Sequence, residues 1–328
     1  MQASQRQRFA SVVITAVALA ATPAIAQAQQ SFPTKPIRLI ASTTAGSQPD
    51  GIARMIGQKM SESWGRPIVV DNRAGGGGLI AASTVAKATP DGHTLLYATP
   101  NFAISAVMQP SLPYDPIKDF ARIGQIGYST NMLVATPAIG VKSVKELIAL
   151  AKAQPGKLVF SSSATGSAAH LSGARFNVIA GIKVVHVAFK GGPDAAIEVL
   201  AGRAQYHIGT MAVLLPFVNE GKMVALAVTS PKRAAVRPDV PALGETLSEF
   251  QRPETSHGLL APAGTPRAIL NQISKELARI LELPDVKERL QSFSYVIAPS
   301  TPAEYDKIMR GQIETLGKLV ADAGLKPK

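Results

Sequence analysis

The chain has no cysteine, so it can form no disulfide, no thiolate metal site and no lipid-modified cysteine anchor. Aromatic residues are sparse at 5%, with a single tryptophan. Lys and Arg outnumber Asp and Glu by 34 to 22, a net charge of +12, but no run of five cations occurs and no aromatics interleave with them. A nucleic-acid partner therefore ranks below a small anionic ligand, which a basic surface would also steer inward. Past the first 30 residues, no segment is apolar for long enough to span a membrane.

Those first residues form a recognisable unit. Arg6 and Arg8 precede the apolar run "SVVITAVALAA", and Ala24-Ile25-Ala26 and Ala26-Gln27-Ala28 are cleavage sites of the A-x-A type. Residues 1–28 are expected to be a signal peptide, cleaved near Ala26 or Ala28, which leaves an exported, unanchored periplasmic protein. Removing Arg6 and Arg8 lowers the charge from +12 to +10. About 300 remaining residues suggest two domains.

Apolar strand-like runs alternate with helical patterns along most of the chain, which predicts an α/β fold with mostly parallel sheets flanked by helices. "PIVVDN", "TLLYAT", "NMLVAT", "KLVFSS", "KVVHVAF" and "QYHIGTM" read as strands. Ser143 and Glu146 form a capping box ahead of a helix that Pro155-Gly156 ends. Thr265-Pro266 opens a helix running to Leu283, and Thr301-Pro302 opens another reaching Gly324.

Two loops carry the chemistry. In "IRLIASTTAGSQPDGIARMIGQKM" (37–60) a buried strand ends in very small residues aimed at a helix N-terminus, with Asp50 expected as the N-cap. Small residues admit a ligand to backbone N–H groups, and a helix N-terminus favours an anion. Thr43, Thr44 and Ser47 add hydroxyls beside Ala45 and Gly46. "FSSSATGSAAHL" (160–171) repeats the device about 120 residues later, with Ser163, Ala164, Thr165, Gly166 and Ser167 ahead of His170. Two such loops facing each other would clamp a small anion at strand ends. A third strand-to-helix turn offers Phe189 and Lys190. Asn101 and Phe102 after one strand, and Thr210 and Met211 after another, complete the candidates. The plain alternative for each loop is an ordinary tight turn, and for Lys190 a solvated surface charge.

Other chemistries fail their pattern tests. "NRAGGGGLIAA" has neither G-K-[ST] nor G-x-G-x-x-G order, so no nucleotide cofactor is expected. Ser167 lacks the flanking glycines of a nucleophile elbow, and His170 three residues later has capping-turn spacing. His93, His170, His186, His207 and His257 are scattered, without H-E-x-x-H, so no metal is expected. His186, in an apolar strand, reads as a packed core histidine.

The stretches "FPTKPIRLI", "DNRAGGGGLIAASTVAKATPDGHTLLYAT", "LPYDPIKDF", "SVKELIALAKAQPGKLVFSS", "TGSAAHLSGARF", "HVAFKGG", "GKMVALAVTS", "KRAAVRPDVPALGE" and "GLLAPAGTPRAILNQI" run in order along the chain. In these the sequence resembles the substrate-binding proteins of tripartite tricarboxylate transporters, the Bug receptors of β-proteobacteria. The resemblance implies a two-domain periplasmic binding protein of Venus-flytrap, type II-like form. One domain would comprise 31–130 plus 253–328 and the other 131–252, with the ligand in the cleft. It implies a small carboxylate ligand, two membrane permease subunits as partners, no catalysis and a monomer. Cleft contacts would come from Thr43–Ser47 and Ser163–Ser167. The first loop departs from the family's usual P-F-x-A-G-G, and His257 and Phe189 stand where Trp and Tyr are common. With Phe102 these would suit an aromatic diacid of phthalate type. The competing readings are a secreted serine-dependent esterase using Ser163 or Ser167, and a sensor protein feeding a two-component system.

Overall fold

The computed structural model describes residues 32–189, 191–250 and 256–325. From Lys35 onward the chain packs as one compact unit. The leader expected at 1–28, and with it the cleavage site, lies outside the described residues, as does Lys190. Among the described residues no helix is long and apolar enough to cross a membrane.

Two sheets organise the chain. The first draws its strands from both ends of the sequence: β1 (Ile37–Ala41), β2 (Ile68–Asn72), β3 (Thr94–Ala98), β4 (Phe120–Ser129), β10 (His257–Pro262) and β11 (Tyr295–Ile297). Their order is β11-β4-β10-β3-β1-β2. The second comes wholly from the middle: β5 (Asn131–Ala135), β6 (Val159–Ser162), β7 (Val185–Ala188), β8 (Tyr206–Thr210) and β9 (Val224–Val228), in the order β7-β6-β8-β5-β9.

Both sheets are mixed, where the alternation of the sequence predicts mostly parallel ones. β1 pairs in parallel with β2 and β3, and β6 pairs in parallel with β7 and β8. These are the strands joined by helical crossovers, which must return the chain to the same edge. The antiparallel pairings are made where the chain passes between sheets. β4 and β5 are separated by Thr130 alone, and β10 receives the chain back after β9. Thr130 is fixed on both sides of this passage: its N–H donates to the Ser294 carbonyl, and its own carbonyl accepts from Met211 N–H.

The helices cover the sheet faces with their apolar stripes. α1 (Gln48–Trp64) follows β1, α2 (Leu79–Ala86) follows a glycine turn, and α3 (Asn101–Met108) follows β3. α4 (Val144–Ala153), α5 (Ala168–Ala180), α6 (Gly192–Leu200) and α7 (Met211–Asn219) belong to the middle segment. α8 (Arg267–Leu281), α9 (Pro284–Ser292) and α10 (Pro302–Asp322) close the chain. Ser143 caps α4 by accepting from Glu146 N–H, while the Glu146 carboxylate reaches back to Lys142 N–H. At α10 the Thr301–Glu304 capping box is complete. Thr265 does not cap α8; its hydroxyl donates to the Pro262 carbonyl.

One core cluster bridges the two parts of the chain. Leu171 of α5 is fully buried with Phe102 and Ile104 of α3 and Met309 and Leu316 of α10, and Ala168 packs at its margin. α5 thus leaves the second sheet and packs on helices that cover the first.

Candidate functional site

The parallel strands of each sheet end in short loops of small residues at their carboxyl edge, where open α/β sheets receive ligands. In the first sheet these are Ser42–Ser47 after β1, the glycine turn 75–78 and the start of α3 after β3. The three converge: the Ser42 hydroxyl lies 3.1 Å from the Thr99 hydroxyl, and a Cβ on Gly78 would meet Ser42 at 3.4 Å and Asn101 at 4.0 Å. In the second sheet, Ser163–Ser167 follows β6, and Phe189 follows β7 with its N–H donating to the Ser162 carbonyl.

The loops after β1 and β6 are one structure built twice. Each helix is N-capped by a serine of the same conformation, Ser47 at φ −74°, ψ 162° and Ser167 at φ −75°, ψ 163°. Before each stands a glycine in the left-handed region, Gly46 at φ 79° and Gly166 at φ 76°, where a Cβ would be strained. The serine hydroxyls donate backward in matched fashion, Ser47 to the Thr44 carbonyl at 2.7 Å and Ser167 to the Ala164 carbonyl at 2.8 Å. In each, the glycine N–H is held by the side chain four residues on. Gly46 donates to Asp50 Oδ2 at 2.8 Å, and Gly166 to His170 Nδ1 at 2.9 Å.

Asp50 is therefore not the N-cap that its position in the sequence suggests. Ser47 holds that place, and the buried Asp50 carboxylate latches the loop from below. It also accepts from Asn72 Nδ2 at 2.8 Å and Arg54 Nε at 3.0 Å. Burial alone would raise this carboxyl; the bonds from Asn72, Gly46 and Arg54 outweigh it and hold the group below its ordinary value. Asn72 Nδ2 further reaches the Thr43 carbonyl at 3.2 Å, so the end of β2 also braces the loop.

Under the second loop the latch is aromatic. His170 stacks on His186 of β7 with ring centroids 3.8 Å apart and planes at 8°, and Phe160 lies against His186 at 4.6 Å and His170 at 6.2 Å. His186 is thus a half-buried member of a stack at the sheet edge rather than a fully enclosed core residue. His186 Nε2 lies 2.7 Å from the Ser162 hydroxyl, which itself donates to the Ala164 carbonyl at 3.1 Å. Burial pulls both imidazoles below their ordinary value, and the neighbouring His170 helps lower His186 to about 4.

The candidates read from sequence separate into distinct roles. Thr44, Ala45, Gly46, Ala164 and Thr165 are exposed or half-exposed at the loop tips. Among the described residues, the hydroxyls of Thr44, Ser163 and Thr165 enter no hydrogen bond within the protein, which leaves them open to a ligand. Ser47 and Ser167 are occupied in their own turns, and Thr43 lies 2.6 Å from the Ser47 hydroxyl. Asn101 and Thr210 stand half-buried at the starts of α3 and α7, and Phe189 is half-buried beside the second loop. Three expectations are corrected. Phe102 is a core residue, 6.0 Å from Tyr114 and 5.0 Å from Phe120 ring to ring. Met211 is fully enclosed with Met132, Leu214 and Val228. His257 is buried where the chain re-enters the first sheet, its Nδ1 3.1 Å from the Tyr97 hydroxyl and its ring against Tyr295. Apolar side chains following a strand turn inward as readily as outward, and one sequence does not say which.

The reasoning from sequence missed Arg54, Asn72 and Ser162, and gave Asp50 the wrong role. A signal for the latches was present: Gly46 and Gly166 each precede a hydrogen-bonding side chain by four residues, with a serine immediately after the glycine.

The arrangement suits binding better than catalysis. The Ser162–His186 contact has the spacing of a nucleophile and base, but Ser162 is fully buried, where a substrate carbonyl cannot reach it. His186 is oriented by a second histidine rather than by a carboxylate. By contrast, the first-turn N–H groups of α1 and α5, which no intrahelical carbonyl can satisfy, lie beside exposed hydroxyls and carry partial positive charge. Such turns can hold the oxygens of a small anion.

Comparison with known proteins identifies a family. Residues 52–325 match the model of the tripartite tricarboxylate transporter family receptor. The chain is 30% identical to the protein BugT of Bordetella pertussis over 91% of this chain and 92% of that one. It superposes on the Rhodopseudomonas palustris protein Rpa4515, solved with adipate, with TM-score 0.78 and 29% identity, covering 90% of this chain and all of that one (100%). The structure of MatC from the same organism, solved with bound malate, matches with TM-score 0.72 and 27% identity over 88% of this chain and 100% of that one.

Proposed function

Because the chain belongs to the tripartite tricarboxylate transporter receptor family, a family of solute-binding receptors, we propose that it captures a small carboxylate between the loops after β1 and β6 and delivers it to membrane permease subunits. The observation that carries this reading is the repeated turn. Two helix N-termini, α1 and α5, are each preceded by a latched Gly-Ser pair and an exposed threonine, Thr44 and Thr165. A carboxylate leaving water needs every oxygen paired, since each unpaired polar group costs roughly 1–3 kcal/mol. Backbone N–H groups of the two turns and the hydroxyls of Thr44, Ser163 and Thr165 provide those partners, with bridging waters where reach falls short.

The mechanism is closure of two domains, 31–130 with 253–328 and 131–252, about Thr130 and the segment between β9 and β10. The single-residue link between β4 and β5 supports a hinge there. The ligands of Rpa4515 and MatC, adipate and malate, are both dicarboxylic acids and support an acid of that class. With Phe102 in the core and His257 buried, Phe189 is left as the one aromatic candidate at the loops, which favours an aliphatic over an aromatic diacid. The protein acts as a monomer in the periplasm, exported by residues 1–28, and performs no catalysis.

A thermal-shift screen against aliphatic and aromatic mono- and dicarboxylates tests this. A ligand at 100 times its Kd adds about 2.7 kcal/mol of stability. A shift with one acid class that Thr165→Val abolishes, with the variant's own melting unchanged, supports the reading. No shift across the panel refutes it.

A further inference from the structure

We infer that His170 and His186 are positioning residues for ligand capture, a neutral-imidazole latch that holds the loop after β6 in its binding shape and lets go in acid. This rests on the reading of that loop as a ligand contact. The geometry sets the protonation state of His170. Gly166 N–H donates to His170 Nδ1, so Nδ1 must be unprotonated and the ring proton must sit on Nε2. The Ser162 hydroxyl lies within hydrogen-bond reach of both the Ala164 carbonyl and His186 Nε2, and so links that ring to the loop. The two rings, stacked 3.8 Å apart, thereby hold both ends of the loop: Gly166 directly, and Ala164 through Ser162.

The matched loop after β1 uses Asp50 for the same task. A carboxylate held by Asn72, Gly46 and Arg54 stays an acceptor throughout the range in which most proteins work. The two latches therefore differ in one property. Asp50 stays fixed, while a proton on His170 Nδ1 would set two donors, the ring N–H and Gly166 N–H, against each other. It would also place a cation against the face of His186.

The surroundings offer such a cation nothing. His170 faces His186 and, more distantly, Phe160. From β8, Tyr206 stacks on Phe160, and His207 turns its Nδ1 to the Ser161 carbonyl. Arg175, further along α5, lies over the Phe250 ring. α10 also packs on α5, yet among the described residues no carboxylate, lysine or arginine acts on either imidazole; the one charge effect is that of His170 on His186.

The test uses the full exported chain, selectively labelled with 15N-glycine, in wild-type, His170→Asn and His170→Leu forms. Asn places an oxygen where His Nδ1 stands and cannot be protonated, whereas Leu leaves Gly166 N–H without an acceptor. The Gly166 amide resonance is followed from pH 8 to 4, and adipate affinity is measured at pH 7.5 and 4.5 in all three proteins. Because adipate itself titrates, proteins are compared at equal pH. The inference expects the wild-type Gly166 resonance to move with histidine protonation and the His170→Asn resonance to stay still. It also expects wild-type affinity at pH 4.5 to fall about 5- to 10-fold below that of His170→Asn, the effect of one lost hydrogen bond. His170→Leu should be weakened at both pH values. A Gly166 resonance indifferent to pH in the wild type, or equal affinities for Asn and Leu variants, overturns the latch. If Gly166 follows the histidines but no adipate binds, the latch stands in the free protein, its claimed effect on capture falls, and the ligand reading fails separately.

Discussion

Asp50→Asn replaces a carboxylate with an amide of the same shape, so it removes charge and acceptor capacity without opening a cavity. Asp50 is 3% exposed and receives three donors: Gly46 N–H, Asn72 Nδ2 and Arg54 Nε. An amide has one oxygen, which can satisfy one side of this cage; its NH2 must then face Gly46 or Asn72, donor against donor. One buried donor left unpaired costs about 1–3 kcal/mol. The Arg54 partner is half-exposed, so losing that ion pair adds no more than about 1 kcal/mol. The expected total is about 1–4 kcal/mol, read as a lower urea midpoint at unchanged slope. The same loop would lose its fixed shape, so carboxylate affinity should fall as well. The dependence on pH checks the sign. Because the folded carboxyl lies below its ordinary value, its contribution is present above that value and is lost as acid protonates it in the fold. The wild type should therefore lose its advantage over Asp50→Asn as pH falls below about 4. An Asp50→Asn protein within 0.5 kcal/mol of wild type at pH 7, by the surface-substitution scale, would refute the view that this carboxylate latches the loop.

Two further predictions concern the first sheet. Gly258→Ala on β10 would place a methyl 2.4 Å from the fully buried Tyr305 ring and 2.6 Å from the Gly124 carbonyl. Backbone cannot retreat as a flexible side chain can, so a loss of about 3 kcal/mol is expected in chemical denaturation, at the upper end for overpacking. His257, enclosed with Tyr97 and Tyr295, is held neutral by burial down to about pH 3. An unfolded chain takes up that proton near pH 6.5, so stability should fall between about pH 6.5 and 3, at up to about 1.4 kcal/mol per pH unit from this group. His257→Phe should flatten that part of the profile, and an unchanged slope in the variant would count against the assignment.

Much of the fold was legible because its signals are local. The Thr301–Glu304 box, the proline opening α10, and the apolar runs of β1, β3, β5 and β6 each depend on a few neighbouring residues. What escaped depends on contacts distant in sequence. β4 and β10 pair across more than a hundred residues, and their mixed direction follows from how the chain passes between sheets, which periodicity does not encode. The helix expected from Pro266 to Leu283 forms as the 15-residue α8, ending at Leu281, but the sequence reading did not foresee α9, which Pro284 opens directly after it.

The candidate site was legible in the same partial way. Both small-residue loops were recognisable from Thr44-Ala45-Gly46-Ser47 and Ala164-Thr165-Gly166-Ser167, since glycine and serine before a helix have a physical meaning of their own. The partners that brace them come from other strands: Asn72 from β2, and His186 from β7. Phe102, Met211 and His257 were misplaced for a related reason. Phe102 and Met211 lie in the first turns of helices just past strand ends and His257 opens β10, but which way each side chain turns is decided by residues elsewhere in the sequence: Phe120 for Phe102, Met132 and Val228 for Met211, and Tyr97 and Tyr295 for His257.

The central claim is that one small carboxylate is held by both turns at once. Isothermal titration of a carboxylate panel into wild type, Thr44→Val, Thr165→Val and the double variant tests it most directly, because the two threonines lie on different sheets. The account predicts that one acid class binds, that each single variant weakens it, and that the effects of the two are coupled. Binding that is lost through one threonine and indifferent to the other would contradict it, as would a panel in which no acid binds.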